Sequence, residues 1–370
     1  PPPPPPPFFP ASAGIRECVS CLVGSEMCIR DSLSMAAGSP AAGQQGETFR
    51  PGFGWQPGMR IEASETRAGV LREGSVADSG RVSTATYSIV VSDHRDGLLI
   101  AHEDIRVERV GDFPEELPPI ARVNTVVADN LEYWMRLPDL VVSEEGEFIR
   151  VDDVEGFRFR VASSIRPVAS ALGGGDPEIL VLLDSLLAVV VNDDVIEGLA
   201  ADRWSSLVDK WAGTDWEIGQ VFGAEIEAPN PLVPGPAIEY TIQAGVTQKI
   251  ACEAPGGGVM CAVFVMVTRP APQAIGEAAR LLADSLGAQL LAATGRELPA
   301  GYGEGGESPL TFQELILEGR VELMADPVSL LPLWLEERQK RAGSGIGLGE
   351  PFSFYTEEIL TTEFSYPDGP

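Results

Sequence analysis

Two cysteines in the C-terminal half have a spacing that predicts a covalent bond. Cys252 and Cys261 flank a segment that contains Pro255 and three successive glycines, and such a segment is typical of a turn between strands. Opposite positions on an antiparallel pair bring Cβ atoms to the separation that a disulfide needs. A disulfide indicates an oxidising compartment, so it favours an exported protein. Two buried thiols in a cytoplasmic protein are the alternative.

The two histidines of the chain lie close together in sequence. His94 belongs to the turn 93–97, and His102 follows on the next strand-like segment. With Asp93, Asp96 and Asp104 nearby they could coordinate a cation, but a turn separates them and their side chains need not converge. We therefore expect solvated hairpin residues and predict no metal ligand.

Carboxylates offer the other route to catalysis. The acids that adjoin in sequence form the pairs Asp152/Asp153, Asp193/Asp194 and Glu357/Glu358. Neighbouring residues on a strand face opposite sides, so they cannot share a proton. Motifs for a serine nucleophile, a zinc protease, a phosphate-binding loop or a calcium loop are missing from the sequence. We predict no catalytic and no cofactor-binding residue, with a hydrolase built on dispersed carboxylates as one alternative.

Three tryptophans form the candidate ligand-binding set. Trp204, Trp211 and Trp216 cluster in sequence, and helical spacing places Trp204 and Trp211 on one face. Core packing is one interpretation of this face, and an aromatic wall around a ligand is the other.

The charge of the chain excludes several classes of partner. Asp and Glu number 55 against 26 Lys and Arg, which gives a net charge of −29. A field of this sign repels nucleic acid and anionic membranes. The most apolar run, 179–191, is interrupted by Asp184 and is shorter than the ~20 residues that a bilayer requires. The predicted partners are therefore a hydrophobic small molecule or a protein, without nucleic acid and without a transmembrane segment.

The N-terminal segment has a different character from the rest. Residues 1–7 are all proline, and residues 19–32 resemble the conceptual translation of a sequencing-library adapter. This resemblance implies that residues 1–34 are an artefactual, disordered addition, which leaves them out of the fold. Residues 34–43 are rich in small side chains and permit a signal-peptide cleavage region, whereas Met35 permits a start.

Patterning predicts many strands and a few helices. The strands are expected at 59–70, 81–91, 98–110, 137–142, 147–161, 216–227, 237–252, 259–268, 310–324 and 352–366. Helices are expected at 178–191, 193–212, 273–294 and 330–341, and flexible loops at 301–306 and 342–349.

These elements predict an α+β fold with two similar halves, each a curved sheet of long antiparallel strands covered by helices. A flexible lead occupies 35–58, and the halves span 59–212 and 213–370. Trp55 with Gly58, and Trp216 with Gly219, share the pattern W-x-x-G, which supports a duplication. The layout resembles bacterial envelope and lipoprotein-type proteins in which a sheet wraps helices.

Three functional hypotheses follow from the sequence. The first is a non-catalytic exported protein, periplasmic or associated with the outer membrane, that binds a hydrophobic ligand or a protein partner. The second is a structural or interaction module without a ligand, with a filled core and an exposed apolar patch. The third is the carboxylate hydrolase, which requires two acids roughly 5–10 Å apart, one with a raised pKa.

Overall fold

A computed structural model gives the fold of most of the chain. It describes residues 27–28, 46–73, 76–110, 136–172, 193–228, 238–252, 260–271, 274–276, 310–347 and 350–367. The predicted helices 178–191 and 273–294 lie outside these residues, apart from 274–276, as does most of the predicted artefact 1–34.

Strands make up most of the described residues. They are β1 Met27–Cys28, β2 Thr48–Phe49, β3 Arg60–Glu73, β4 Val76–His94, β5 Gly97–Val110, β6 Leu140–Val142, β7 Phe148–Val151, β8 Trp216–Glu217, β9 Val221–Ala228, β10 Ile238–Ala251, β11 Met260–Pro270, β12 Leu310–Ala325, β13 Pro332–Gly347 and β14 Glu350–Ser365. The helices are α1 Val154–Leu172 and α2 Asp193–Trp204, and a π-helical turn, Ser205–Asp209, continues α2.

Eleven strands form one antiparallel path in the order β7-β6-β5-β4-β3-β14-β13-β12-β11-β10-β9. The two-residue β1 adds a parallel contact with β11 at Thr268, and β2 pairs with β8 in a separate small sheet. The strands of 59–212 lie on one side of the path and those of 213–370 on the other, and they meet where β3 pairs with β14. The division into two similar halves stays a prediction.

The predicted α+β class is wrong. Of the described residues, 62% lie in strands and 16% in helices, in one large antiparallel sheet and a two-stranded one. Three predicted segments have a different secondary structure. Residues 330–341 and 342–349, taken for a helix and a loop, belong mainly to the long strand β13, whereas most of 147–161 lies in α1.

The inner face of the sheet packs on the helices, and the outer face is polar except on β11, where Val263, Val265 and Val267 are also buried. Inner positions such as Ile61, Phe264 and Leu335 enter a buried core with Phe157 of α1 and Leu199 of α2. Outer positions carry cross-strand and same-strand ion pairs, namely Arg60–Glu62, Arg269–Glu318, Arg320–Glu322, Arg338–Glu336 and Arg338–Glu357. Away from β11, this alternation is expected of an antiparallel sheet with one solvated face. No described helix is long and apolar enough to cross a membrane.

A disulfide joins Cys252, just after β10, to Cys261 in β11, with 5.8 Å between their Cα atoms. The two cysteines are nine residues apart in sequence, so the bond closes a small loop between neighbouring strands.

Replacing both cysteines with serine is expected to lower the free energy of unfolding by about 2–3 kcal/mol, because the open chain regains the entropy of this loop. Urea unfolding of the oxidised, reduced and doubly substituted protein measures the loss. The reduced wild type serves as the control and is expected to match the variant. An unchanged midpoint in both would contradict a constraining bond.

Candidate functional site

A group of buried charged side chains lies between α2 and the inner face of the sheet. Within this group, Arg203 comes from the last turn of α2, and the other members lie on β3, β4, β13 and β14 or just before β6. We call the set the buried ion network, and its members are Glu65, Tyr87, Arg136, Arg203, Glu337 and Thr362.

Arg203 is the centre of the network. Its Nη2 donates to Glu65 Oε2 at 2.7 Å, to Thr362 Oγ1 at 3.1 Å and to the Tyr87 hydroxyl at 3.3 Å. The Arg203 side chain is 6% exposed and that of Glu65 is fully buried. Burial disfavours a charged guanidinium, but the carboxylates of Glu65 and Glu337 outweigh it and raise the pKa of Arg203. The pair is therefore a salt bridge in the interior of the protein.

Glu337 joins a second arginine to the network. It accepts from Arg203 Nη1 at 3.0 Å and from Arg136 Nη2. Burial alone would raise the pKa of Glu337, but the positive charges of Arg136 and Arg203 lower it below its ordinary value. Glu337 is thus held as a carboxylate and is unsuited to donate a proton.

The charges of the network balance, with two arginines against two glutamates. Burial and the charge of Glu65 raise the pKa of Tyr87, so its phenol stays protonated. Two buried atoms, Glu65 Oε1 and Arg136 Nε, find no hydrogen-bond partner among the described residues. The arrangement fixes α2 on four strands.

One carboxyl outside the network has a raised pKa. Burial raises the pKa of Asp209, in the π-helical turn, to about 6, and the charge of Glu147 adds to the shift. The structure gives no further sign of a catalytic pair among the described residues. The hydrolase hypothesis stays a prediction.

The two histidines occupy different environments. His102 lies on β5, where its backbone N–H donates to Asp139 Oδ1 at 2.9 Å and its Nδ1 lies 2.8 Å from the Pro138 carbonyl oxygen. Its ring meets that of Tyr87 edge to face at 5.7 Å. His94 instead accepts from the Asp96 backbone N–H within the turn. No group of three metal-ligating side chains occurs among the described residues.

His102 is expected to make the protein lose stability in mild acid. Burial lowers its pKa from 6.5 to about 4. The unfolded chain therefore binds a proton at this residue that the folded protein excludes. The stability that neutral His102 contributes is complete above about pH 6.5 and is lost as the pH falls towards 4. We expect a loss of up to about 3 kcal/mol over this window. Urea unfolding between pH 7 and pH 4 measures it, and His102→Gln should flatten the slope, whereas His94→Gln should keep it.

All three candidate tryptophans lie in the hydrophobic core. Trp204, Trp211 and Trp216 are 1%, 0% and 3% exposed. Each indole N–H donates to a backbone carbonyl, at Gly146 for Trp204, at Ser206 for Trp211 and at Trp211 for Trp216. Trp211 and Trp216 have ring centroids 5.8 Å apart, whereas Trp204 packs on Trp55 at 5.3 Å. In this conformation the rings contact protein, and their role in ligand binding stays a prediction.

A surface beside this core leaves apolar side chains open. On β9, Phe222 packs on Trp216 with ring centroids 5.4 Å apart, yet remains 40% exposed. The inner face of β9 and β10 carries further apolar residues. We call this surface the β9 flank, and it consists of Phe222, Ala224, Ile226, Tyr240, Ile242 and Ala244.

Tyr240 is the polar member of the β9 flank. It lies opposite Ile226, is fully buried, and its hydroxyl finds no partner among the described residues. Burial raises its pKa, so the phenol keeps its proton. A buried hydroxyl without a partner costs about 1–3 kcal/mol, and a bound group satisfies it only if the side chains that cover Tyr240 move aside.

Sequence reasoning missed both the buried ion network and the β9 flank, although the sequence contains a signal for the network. Glu65 shares the strand face of Ile61 and Ala63, so an acid stands where the alternation demands an apolar residue. A charge at such a position requires a buried partner. The identity of that partner, Arg203, follows only from tertiary packing. For the β9 flank, the pattern gave a strand but did not show that it ends the sheet.

A comparison with protein-family models finds no match, and no curated protein is significantly similar to the chain. The function is therefore inferred from the geometry.

Proposed function

We propose that this is a non-catalytic exported protein, periplasmic or associated with the outer membrane, that binds a hydrophobic ligand or the apolar surface of a protein partner at the β9 flank. The observation that carries the proposal is the continuation of the apolar inner face beyond the helix-covered core. There Phe222 is 40% exposed, Ala224 is exposed and Ile226 is partly exposed. Large apolar side chains grouped at the surface mark binding sites more often than scattered ones do.

The unpartnered hydroxyl of Tyr240 supports the same location. It lies on the inner face of β10, one strand in from the exposed side chains of β9. A site with a mainly apolar lining and one oriented donor is the usual composition of a ligand pocket. A ligand with an acceptor group near its apolar part fits this arrangement.

The disulfide supports export. Disulfides persist in oxidising compartments and are rare in the cytoplasm. The Cys252–Cys261 bond closes a strand pair next to the β9 flank, in the same half of the sheet.

An interaction module without a ligand is the second candidate. The exposed Phe222 and the closely packed tryptophans also fit its expectation of a filled core with an apolar patch. The two candidates differ in one property, because only the first takes up a small apolar molecule.

Native mass spectrometry of the protein purified from an oxidising host tests uptake directly. A bound apolar mass, together with cysteines that resist alkylation, is the expected result.

The location is tested by titrating an environment-sensitive apolar dye into the Phe222→Ser variant. Phe159→Ser is the matched control, because Phe159 is 71% exposed and belongs to α1, not to β9. Loss of dye binding in Phe222→Ser alone supports the β9 flank, and equal binding in both variants contradicts it.

A further inference from the structure

The strand β9 ends the sheet and leaves a regular edge. No described strand pairs with its outer side, and residues 221–225 and 227 are exposed. Its eight residues pair with β10 without a shift of register and contain neither proline nor lysine. An open edge of this kind is a template for another strand, because every second backbone N–H and C=O points outward.

The opposite edge of the sheet is protected. It is formed by β7, which has four residues, and the pairing of β7 with β6 contains an irregularity. Short and irregular edge strands are common devices against unwanted pairing. Of the two edges that end the described part of the sheet, β9 is therefore the one suited to accept a further strand.

The two faces of β9 have different chemistry. Phe222, Ala224 and Ile226 lie on the inner face, whereas Glu225 and Glu227 lie on the outer face. Opposite charges on neighbouring strands attract each other, so a basic side chain on an added strand gains energy beside Glu225 and Glu227.

We propose that β9 is the docking edge for an extended, basic segment of a partner protein. The segment adds a strand by backbone hydrogen bonds, with apolar side chains on the face of Phe222 and lysine or arginine side chains beside Glu225 and Glu227. This inference rests on the proposed function, since it uses the same flank. The net charge of −29 adds long-range attraction for a basic partner.

A second copy of the chain fits this edge poorly. If two copies of β9 pair about a two-fold axis perpendicular to the sheet, the outer faces coincide. Glu225 and Glu227 of one copy then lie on the same surface as those of the other. This concentration of negative charge disfavours self-pairing and selects a strand of the opposite sign.

The test uses a capped eight-residue peptide of alternating valine and lysine, titrated calorimetrically at low salt into the full chain. Glu225→Lys/Glu227→Lys is expected to weaken binding by at least about tenfold, because it removes both charge partners. Glu144→Lys/Glu145→Lys is the matched control. It makes the same change in net charge in the exposed turn before β7 and is expected to bind like the wild type. If the lysine variant unfolds, Glu225→Gln/Glu227→Gln replaces it, with a smaller expected loss.

Backbone methylation tests strand addition itself. The same peptide is N-methylated either on its valine amides or on its lysine amides. Each change blocks one of the two hydrogen-bonding edges of the peptide strand. One of the two peptides is expected to lose binding by about tenfold or more. The inference is overturned if both methylated peptides bind equally, or if the unmodified peptide binds equally to Glu225→Lys/Glu227→Lys and to Glu144→Lys/Glu145→Lys. A concentration-dependent dimer of the protein in sedimentation overturns it as well.

The outcomes separate this inference from the proposed function. If Phe222→Ser abolishes dye binding but the peptide does not bind, the flank is a ligand site without a strand partner. If the peptide binds and the dye does not, β9 is a protein-docking edge alone.

Discussion

Replacing Arg203 with methionine is expected to lower the free energy of unfolding by about 3–5 kcal/mol. Methionine fills much of the same volume but leaves the fully buried Glu65 carboxylate without its cation. Glu337 keeps Arg136, so the cost falls mainly on Glu65. Urea unfolding monitored by tryptophan fluorescence measures the loss.

Two control variants test whether the loss comes from an unpaired buried charge. Arg60→Met is the matched substitution, because Arg60 also pairs with three carboxylates but lies at the outer surface, where ion pairs contribute little. The double variant Glu65→Leu/Arg203→Met removes both charges and is expected to recover much of the stability. If the double variant is as unstable as the single one, the loss comes from packing and not from an unpaired charge.

Replacing Trp211 with alanine is expected to cost about 3–5 kcal/mol, the usual loss for a fully buried aromatic side chain. Trp211 is 0% exposed and its ring packs on Phe264 at 5.2 Å. Its indole N–H also donates to the Ser206 carbonyl at 2.9 Å, which ties it to the π-helical turn. Trp211→Phe keeps most of the ring contacts and loses this bond, so we expect a smaller loss of about 1–3 kcal/mol.

Trp334→Ala is the matched control for Trp211. Trp334 lies on β13 next to the inner residue Leu335, so it faces outward and is only half-buried. Guanidinium unfolding of the three variants gives the order of losses. A loss in Trp211→Ala no larger than in Trp334→Ala would contradict its place in the core. Preserved stability together with lost binding of an apolar molecule would instead support the aromatic-wall interpretation.

Local pattern predicted much of the sheet but not its class. The alternation in 81–91 and the Asp-Gly turn at 96–97 gave the hairpin of β4 and β5, and the cysteine spacing gave the β10–β11 pair. The helix predicted for residues 330–341 was wrong, and it was predicted because Leu, Glu, Arg, Gln and Lys are all good helix formers. In β13 their neighbours override this propensity, and Leu335 and Glu337 alternate with the outward Glu336 and Arg338.

The boundary between β7 and α1 shows the same limit. Asp153 has a φ of 44°, and its carboxylate accepts the backbone N–H of Gly156 at the start of α1. The sequence indicated a bend at Asp152-Asp153, but strand-like residues on both sides concealed the change to helix. For the buried ion network, the misplaced acid was visible in the sequence, whereas the convergence of four strands on Arg203 depends on the register of the whole sheet.

The pairing of β3 with β14 has a consequence for folding. It joins Glu65 to Thr362, residues 297 positions apart in sequence. The hairpins β3–β4–β5 and β12–β13–β14 are local, so they are able to form early, but this seam closes only after the last strand has been made. Contacts between such distant residues slow folding and lengthen the time for which strand edges stay open to other chains. A chain cut short before residue 350 lacks β14, so β3 and β13 become two open edges and Glu65 loses its partner on β14. We expect such a chain to aggregate.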